Sequence, residues 1–303
     1  MWPLGFAFAS QALNVWPLGF ALARRCLKDH EDTDVILACR SLERANSAAQ
    51  SLAAECAAWR GRVSVVELDA SSDASVDAAA SRIAERLQGG TKLYAVVNNA
   101  GSATGSVRDL VELNARGPRR VSNAFVPLLE PQGGRVVNIS SGAATMCVRK
   151  CSAERRALLT DLNVSWAQLE ALLEECEALS VEEFEARGIG TTLGAYGMTK
   201  AALNAHTAIL AREHPNLKVN ACTPGMINTD LLKDAAPYYV PNFLVPLAAR
   251  FLVGALPPDA GTLAPLFLLF GEPEGNGRYY GSDGLRSPLD IHRAPGTPPY
   301  EGP

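Results

Sequence analysis

Residues 93–139, LYAVVNNAGSATGSVRDLVELNARGPRRVSNAFVPLLEPQGGRVVNI, decide the fold. The apolar run Leu93–Val97 is strand-length. The stretch Arg108–Leu129 has a helical repeat, and Arg135–Ile139 is a second apolar run. Two such strands joined through a long helix pair in parallel by a right-handed crossover.

The same rhythm extends in both directions. Upstream, Phe6–Gln11 is a weak first strand, Pro17–Lys28 a helix, Asp34–Cys39 (DVILAC) a strand and Leu42–Trp59 an Ala-rich helix. Arg62–Leu68 (RVSVVEL) follows as a strand and Ala74–Leu87 as a helix; downstream, Tyr196–Glu213 is a helix and Lys218–Cys222 a strand. The strands are nearly continuous apolar runs, as expected where helices cover both sheet faces. The pattern predicts an α/β fold, a single doubly wound, Rossmann-like parallel sheet. It spans residues 1–285, and a Gly/Pro-rich tail follows over 286–303; the whole stretch from Glu272 reads as loop. Residues 145–192 break the rhythm. Their acidic, helix-patterned segments SWAQLEALLEECEAL and SVEEFEARG suggest a helical insertion, with Ser165 or Ser180 as N-caps and Glu183 completing a capping box.

Bulk properties narrow the function. With 48% hydrophobic and 20% charged residues, the chain has the balance of a soluble protein with a sizeable core. A net charge of −4 gives no basic surface for nucleic acid or anionic lipid. The seven cysteines are scattered, without a C-x-x-C pair, which predicts reduced thiols and a cytoplasmic protein rather than a disulfide frame. The four histidines show no ligand spacing, so no metal is expected. Residues 1–23 lack charge, but Gln11, Asn14, Pro3 and Pro17 interrupt them and no basic stretch precedes them, which argues against a membrane helix.

The chemistry concentrates in a few places. Tyr196 and Lys200 lie one helical turn apart. A phenol titrates near pH 10, and a neighbouring ammonium lowers that value, so the pair suits acid–base work on an alcohol or carbonyl oxygen. Taken alone, the spacing is weak, since it occurs by chance in many helices and more often marks a surface Tyr beside a solvated Lys. Context decides between them. Ser140 and Ser141 end the strand RVVNI, Asn98-Asn-Ala-Gly101 ends the strand YAVV, and Pro224-Gly225 follows KVNAC. Ligands of parallel sheets sit at these carboxyl ends.

With these motifs in this order, residues 10–285 resemble the short-chain dehydrogenase/reductases, most closely their monomeric carbonyl reductase branch. The resemblance implies Tyr196 as catalytic acid/base and Lys200 as the group that depresses its pKa and holds the nicotinamide ribose. Ser141 would orient the carbonyl, and Asn114 would complete a proton relay through water. Asn98, Ala100 and Gly101 would line the adenosine and ribose side, Asp69 the adenine ring, and Pro224, Gly225 and Thr229 the nicotinamide end. Cys39 fills the place of the acidic residue that selects NAD, while Arg40 and Arg44 follow, and guanidinium suits a 2′-phosphate; the expected cofactor is NADP(H). The expected reaction is NADPH-dependent reduction of a small-molecule aldehyde or ketone. Fifty-four residues separate Ser141 from Tyr196, and the resemblance implies that such an insertion covers the surface used for tetramers, giving a monomer.

One segment departs from the family. Its glycine-rich phosphate loop aligns with Ala12–Gly19, where only Gly19 survives; Leu13 and Pro17 replace the other glycines. Pro17 has no N–H for a pyrophosphate. WPLGFA also occurs twice, at Trp2–Ala7 and Trp16–Ala21. Two readings follow. Residues 1–18 reflect a recent duplication or a faulty gene model in a competent enzyme, or the chain is a cofactor-binding-defective relative that acts as a regulatory binding protein.

Overall fold

A computed structural model describes residues 4–10, 16–227 and 256–302. Within them, seven parallel strands form one sheet in the order β3-β2-β1-β4-β5-β6-β7. In chain order these are β1 (Leu4–Ser10), β2 (Thr33–Cys39), β3 (Val63–Glu67), β4 (Leu93–Asn98), β5 (Arg135–Ile139), β6 (Lys218–Cys222) and β7 (Tyr279–Tyr280). The order reverses between β1 and β4, which opens a crevice at their carboxyl ends. In register, Asn98 pairs with Asn138 across β4 and β5, so their loops leave the sheet side by side.

Helices cover both faces. On one, α1 (Trp16–Asp29), α2 (Leu42–Glu55) and α10 (Leu263–Phe270) pack Leu22, Leu27, Leu52, Leu268 and Leu269 on Leu37, Val97 and Val137. On the other, α3 (Asp73–Arg86) and α5 (Gly117–Phe125) pack Val76, Ile83, Val121 and Phe125 on Ile36, Val66 and Val96. Serines open the helices: Ser41 and Ser72 accept N–H bonds from the first turns of α2 and α3. The Ala-rich helix does not continue to Trp59. The chain must reverse before β3, and it does so through extended Cys56 and a 3₁₀ turn at Ala57–Trp59.

The long helix expected over 108–129 contains a defect. α4 (Val107–Val111) runs into a π-turn at Glu112–Arg116 before α5, and a 3₁₀ turn at Val126–Leu128 ends it. Pro118 is the cause. It has no N–H to donate to the Asn114 carbonyl, and its ring would collide with that oxygen in a regular α-helix. The chain absorbs one extra residue, and the Gly117 N–H reaches back to the Glu112 carbonyl.

The insertion is helical, as its patterning implies, and starts at once after Ser141. It comprises α6 (Gly142–Lys150), α7 (Ala153–Thr160), α8 (Trp166–Glu177) and 3₁₀ turns at Val181–Glu183 and Glu185–Arg187. Both suspected capping serines serve: Ser165 forms a capping box with Gln168, and the Ser180 N–H donates to Glu183 at 2.8 Å. Its residues Leu159, Leu169, Leu172 and Leu173 close over α9 (Tyr196–Glu213), packing on Met198, Ala202 and Ala205. α9 is thereby buried on all sides from Tyr196 to Ala211.

The segment after Glu272 is not all loop. β7 adds to the edge of β6, and Tyr279 and Tyr280 are both buried. Beyond it, Asp283 pairs with Arg293 and accepts the Gly296 N–H, and Tyr300 donates its N–H to the Arg286 carbonyl, which ties the tail down. All seven cysteines are free thiols. Among the described residues no helix is long and apolar enough to cross a membrane, and no three His, Cys, Asp or Glu residues gather as a metal site.

Candidate active site

The sheet brings the sequence-identified residues to one edge. β4 delivers Asn98, Asn99, Ala100 and Gly101; β5 delivers Ser140 and Ser141; β6 delivers Pro224 and Gly225. Arg40 and Arg44 follow β2, and Asp69 follows β3. Thr229, Leu13 and the segment Asn228–Arg250 lie outside the described residues.

At the centre are Ser141, Tyr196 and Lys200. Ser141 caps α6, accepting the Ala143 N–H at 3.2 Å, and its hydroxyl faces the Tyr196 phenol. The Lys200 ammonium lies 5.9 Å from the Tyr196 ring centroid and donates to the Ile139 carbonyl at 2.8 Å. Both side chains are nearly without solvent contact. Burial pushes the Tyr196 phenol above its ordinary value, and the Ser141 hydroxyl offsets part of that. Burial also pulls Lys200 down, to about 8. With the ammonium turned to the Ile139 carbonyl, Lys200 does not figure among the groups that shift the phenol. Water is excluded from both groups, and each is driven toward its neutral form before their mutual attraction can act.

Asn114 sits in the π-turn, fully buried. Its side-chain amide donates to the Ser102 carbonyl at 2.8 Å and to Thr199 Oγ1 at 3.0 Å, and its oxygen accepts the Ser102 N–H at 2.9 Å. This ties the loop after β4 to α9. The side chain is occupied in positioning. Gly101 is fitted against the same cluster: a Cβ there would stand 3.1 Å from both Asn114 Oδ1 and Lys200 Nζ.

The two asparagines that end β4 have different tasks. Asn98 donates to Asn138 Oδ1 at 2.7 Å and to Ser122 Oγ at 3.3 Å, bracing β4, β5 and α5 from within. Asn99, which sequence reasoning passed over, is buried with both amide atoms unpartnered among the described residues. A Cβ on Gly19 would stand 3.0 Å from its nitrogen, so α1 and the β4 loop meet here backbone to side chain. Orphaned buried amide groups at a sheet's carboxyl edge fit a polar ligand. At this switch point they fit the polar part of a dinucleotide laid along the edge.

The tail completes the surroundings. His292 approaches within 3.2 Å of where a Gly142 side chain would begin, and Ser282 within 2.9 Å of the corresponding point on Gly225, whose φ is 78°. Tyr279 lies near Tyr196, its phenol pushed up by burial while the Thr223 hydroxyl works the other way. No local signal in the sequence identifies these three, because β7 and the tail reach the site through non-local pairing.

Comparison with known proteins agrees with this geometry. The family described as short chain dehydrogenase matches residues 17–153. Carbonyl reductase (NADPH) 1 of Mus musculus is 30% identical over 247 residues, covering 75% of this chain and 83% of that protein. (+)-Neomenthol dehydrogenase of Arabidopsis thaliana is 30% identical over 129 residues, which span 41% of this chain and 42% of that protein. The solved structure of salutaridine reductase from Papaver somniferum superposes with a TM-score of 0.71 at 19% identity, covering 91% of this chain and 99% of that one. That of the NADPH-bound carbonyl reductase from chicken fatty liver gives 0.61 at 20%, covering 95% of each. At such identities the structures show a shared fold. The longer sequence match adds kinship, and the chain belongs to the short-chain dehydrogenase/reductase family of oxidoreductases.

Proposed function

We propose that this protein reduces an aldehyde or ketone to an alcohol with NADPH, using Tyr196 as the general acid. The observation that carries the reading is the buried set of Tyr196, Ser141 and Lys200 on the carboxyl edge of the sheet. The reduced nicotinamide supplies a hydride to the carbonyl carbon when bound. Ser141 holds the carbonyl oxygen, and the Tyr196 hydroxyl gives it a proton as negative charge develops there. The phenolate left behind would be stabilised by the Ser141 hydroxyl and by the Lys200 ammonium, 5.9 Å from the ring centroid. Asn114 keeps the β4 loop and α9 in register beside them. Asn99, Ala100 and Gly101 would hold the ribose side, with Pro224 and Gly225 beside the nicotinamide. Asp69, whose carboxylate accepts the Ser71 N–H at 2.9 Å, stands near the adenine. Arg40 and Arg44 favour a 2′-phosphate. The cover of α7 and α8 over α9 supports a monomer.

A second reading rests on Pro17. It lies in the first turn of α1, where a pyrophosphate would need backbone N–H donors, and has none. This favours a binding protein that has lost its cofactor. Titration of the folded protein with NADPH and NADH separates the two. Tight NADPH binding, with turnover abolished in Tyr196→Phe while the fold persists, supports the enzyme. No binding of either dinucleotide by folded protein supports the alternative.

A further inference from the structure

Apolar side chains left exposed together mark contact surfaces, whereas single ones are ordinary. Eight large ones are exposed among the described residues, and four of them belong to segments that adjoin the site. Met146 stands one turn along α6 from Gly142, and Met226 follows Gly225 at the end of β6. Ile291 precedes His292, which rests against Gly142. Leu193 lies in the turn that launches α9: its carbonyl accepts the Tyr196 N–H at 3.3 Å, and the Thr192 carbonyl accepts that of Gly197 at 3.0 Å.

Leu193 is the most informative of the four. Its φ is 52°, and no other non-glycine residue among those described has a positive φ. Gly194 follows at 61°, so the turn takes two successive left-handed residues. Gly, Asn or Asp fits such a site without penalty, whereas a leucine pays for its Cβ. The strain is not repaid by burial, since Leu193 is 57% exposed, the highest of the eight. A strained backbone carrying an exposed apolar side chain three residues from the acid–base group points to a ligand contact.

Building on the reductase reading, we propose that Leu193 is a specificity-determining residue that grips the body of a bulky apolar carbonyl substrate. Met146, Met226 and Ile291 form the rest of the rim. The substrate carbonyl enters toward Ser141 and Tyr196, while its hydrocarbon frame covers these side chains and removes them from water. Small polar aldehydes reach the same hydroxyls without touching the rim.

The test uses Leu193→Gly and Leu193→Asn, both at ease with positive φ. NADPH oxidation is followed with butanal and with the bicyclic ketone 2-decalone, alongside thermal unfolding. Both variants are expected to keep or raise Tm and to leave kcat and KM for butanal within about twofold. KM for 2-decalone is expected to rise about tenfold, the scale of removing roughly half of a leucine's transfer free energy. Unchanged KM for 2-decalone overturns the proposal. So does a fall in Tm with both substrates affected alike, which would make the leucine structural. If the wild type turns over neither probe and binds neither dinucleotide, the reductase reading fails. Equilibrium binding of 2-decalone, followed by tryptophan fluorescence, then decides this proposal: weaker binding by the variants supports it, and equal binding overturns it.

Discussion

His206 offers a quantitative handle on how the insertion and α9 hold together. It is fully buried in α9, both ring nitrogens lack partners among the described residues, and Trp166 of α8 packs edge-on at 5.6 Å between centroids. Arg119 lies over the same tryptophan at 4.4 Å, so a cation already occupies the vicinity. Burial, aided by Arg119, brings the His206 pKa down to about 3 from 6.5. The unfolded chain therefore takes up this proton as pH falls through 6.5, and the folded chain does not until about 3. Stability from this group is complete above 6.5 and drains away below it. Comparing proton binding in the two states, the loss between pH 7 and pH 5 is about 2 kcal/mol, growing toward about 5 kcal/mol near pH 3. Urea unfolding of the wild type and of His206→Leu at pH 7 and pH 5 measures it. The wild type should lose about 2 kcal/mol more than the variant over that interval. Equal losses would mean that His206 is solvated or hydrogen-bonded, and that the packing of α8 on α9 is looser than described.

Other expectations concern the site itself. With Lys200 titrating at about 8, kcat/KM for reduction should fall above that pH as the ammonium is lost, and Lys200→Met should flatten the fall. Unfolding does not account for it at this residue. Between 8 and 10.5 the unfolded chain holds the proton that the folded chain has released, so this lysine's contribution to stability rises with pH. A pH profile identical in the variant would remove Lys200 from the argument. Asn114→Ala deletes three hydrogen bonds and should cost about 3 kcal/mol in urea unfolding, at about 1 kcal/mol each. A cost near zero would show that the β4 loop is held by something else. Arg40→Asp should weaken NADPH binding about 10- to 100-fold, from the loss of one charge-assisted contact, and leave NADH within a few-fold. Calorimetry showing equal effects on both would end the case for a 2′-phosphate site.

Most of the sheet is legible because its strands announce themselves locally. DVILAC and RVVNI are short, apolar and bounded by polar residues, and β2 and β5 fall where those runs stand. Tyr279–Tyr280 gives no such signal. Two residues of the short run between Gly277 and Gly281 become a strand only because β6 offers a free edge. The candidate site residues Tyr196, Lys200 and Ser141 are readable as a motif, but their electrostatics are not. The direction of both pKa shifts depends on how completely α6, the tail and β7 exclude water, and burial of that kind belongs to tertiary structure. Asn99 was hidden for the same reason, since its neighbour Asn98 looks identical in sequence and is spent inside the core. The π-turn did leave a trace: Pro118 inside a helical run is a signal that the regular spacing breaks about four residues earlier.

That break has a consequence for how the site can change. The turn at Glu112–Arg116 holds one residue more than a regular coil needs, and each residue of an α-helix advances the side-chain direction by about 100°. Deleting a single codon there, with Pro118 replaced, would swing Asn114 and everything before it round the axis, away from Ser102 and Thr199. No exchange of one side chain for another has that effect. The anchoring of the loop beside the acid–base pair is thus recorded in chain length, and lineages that gain or lose a residue here should gain or lose the anchor in one step.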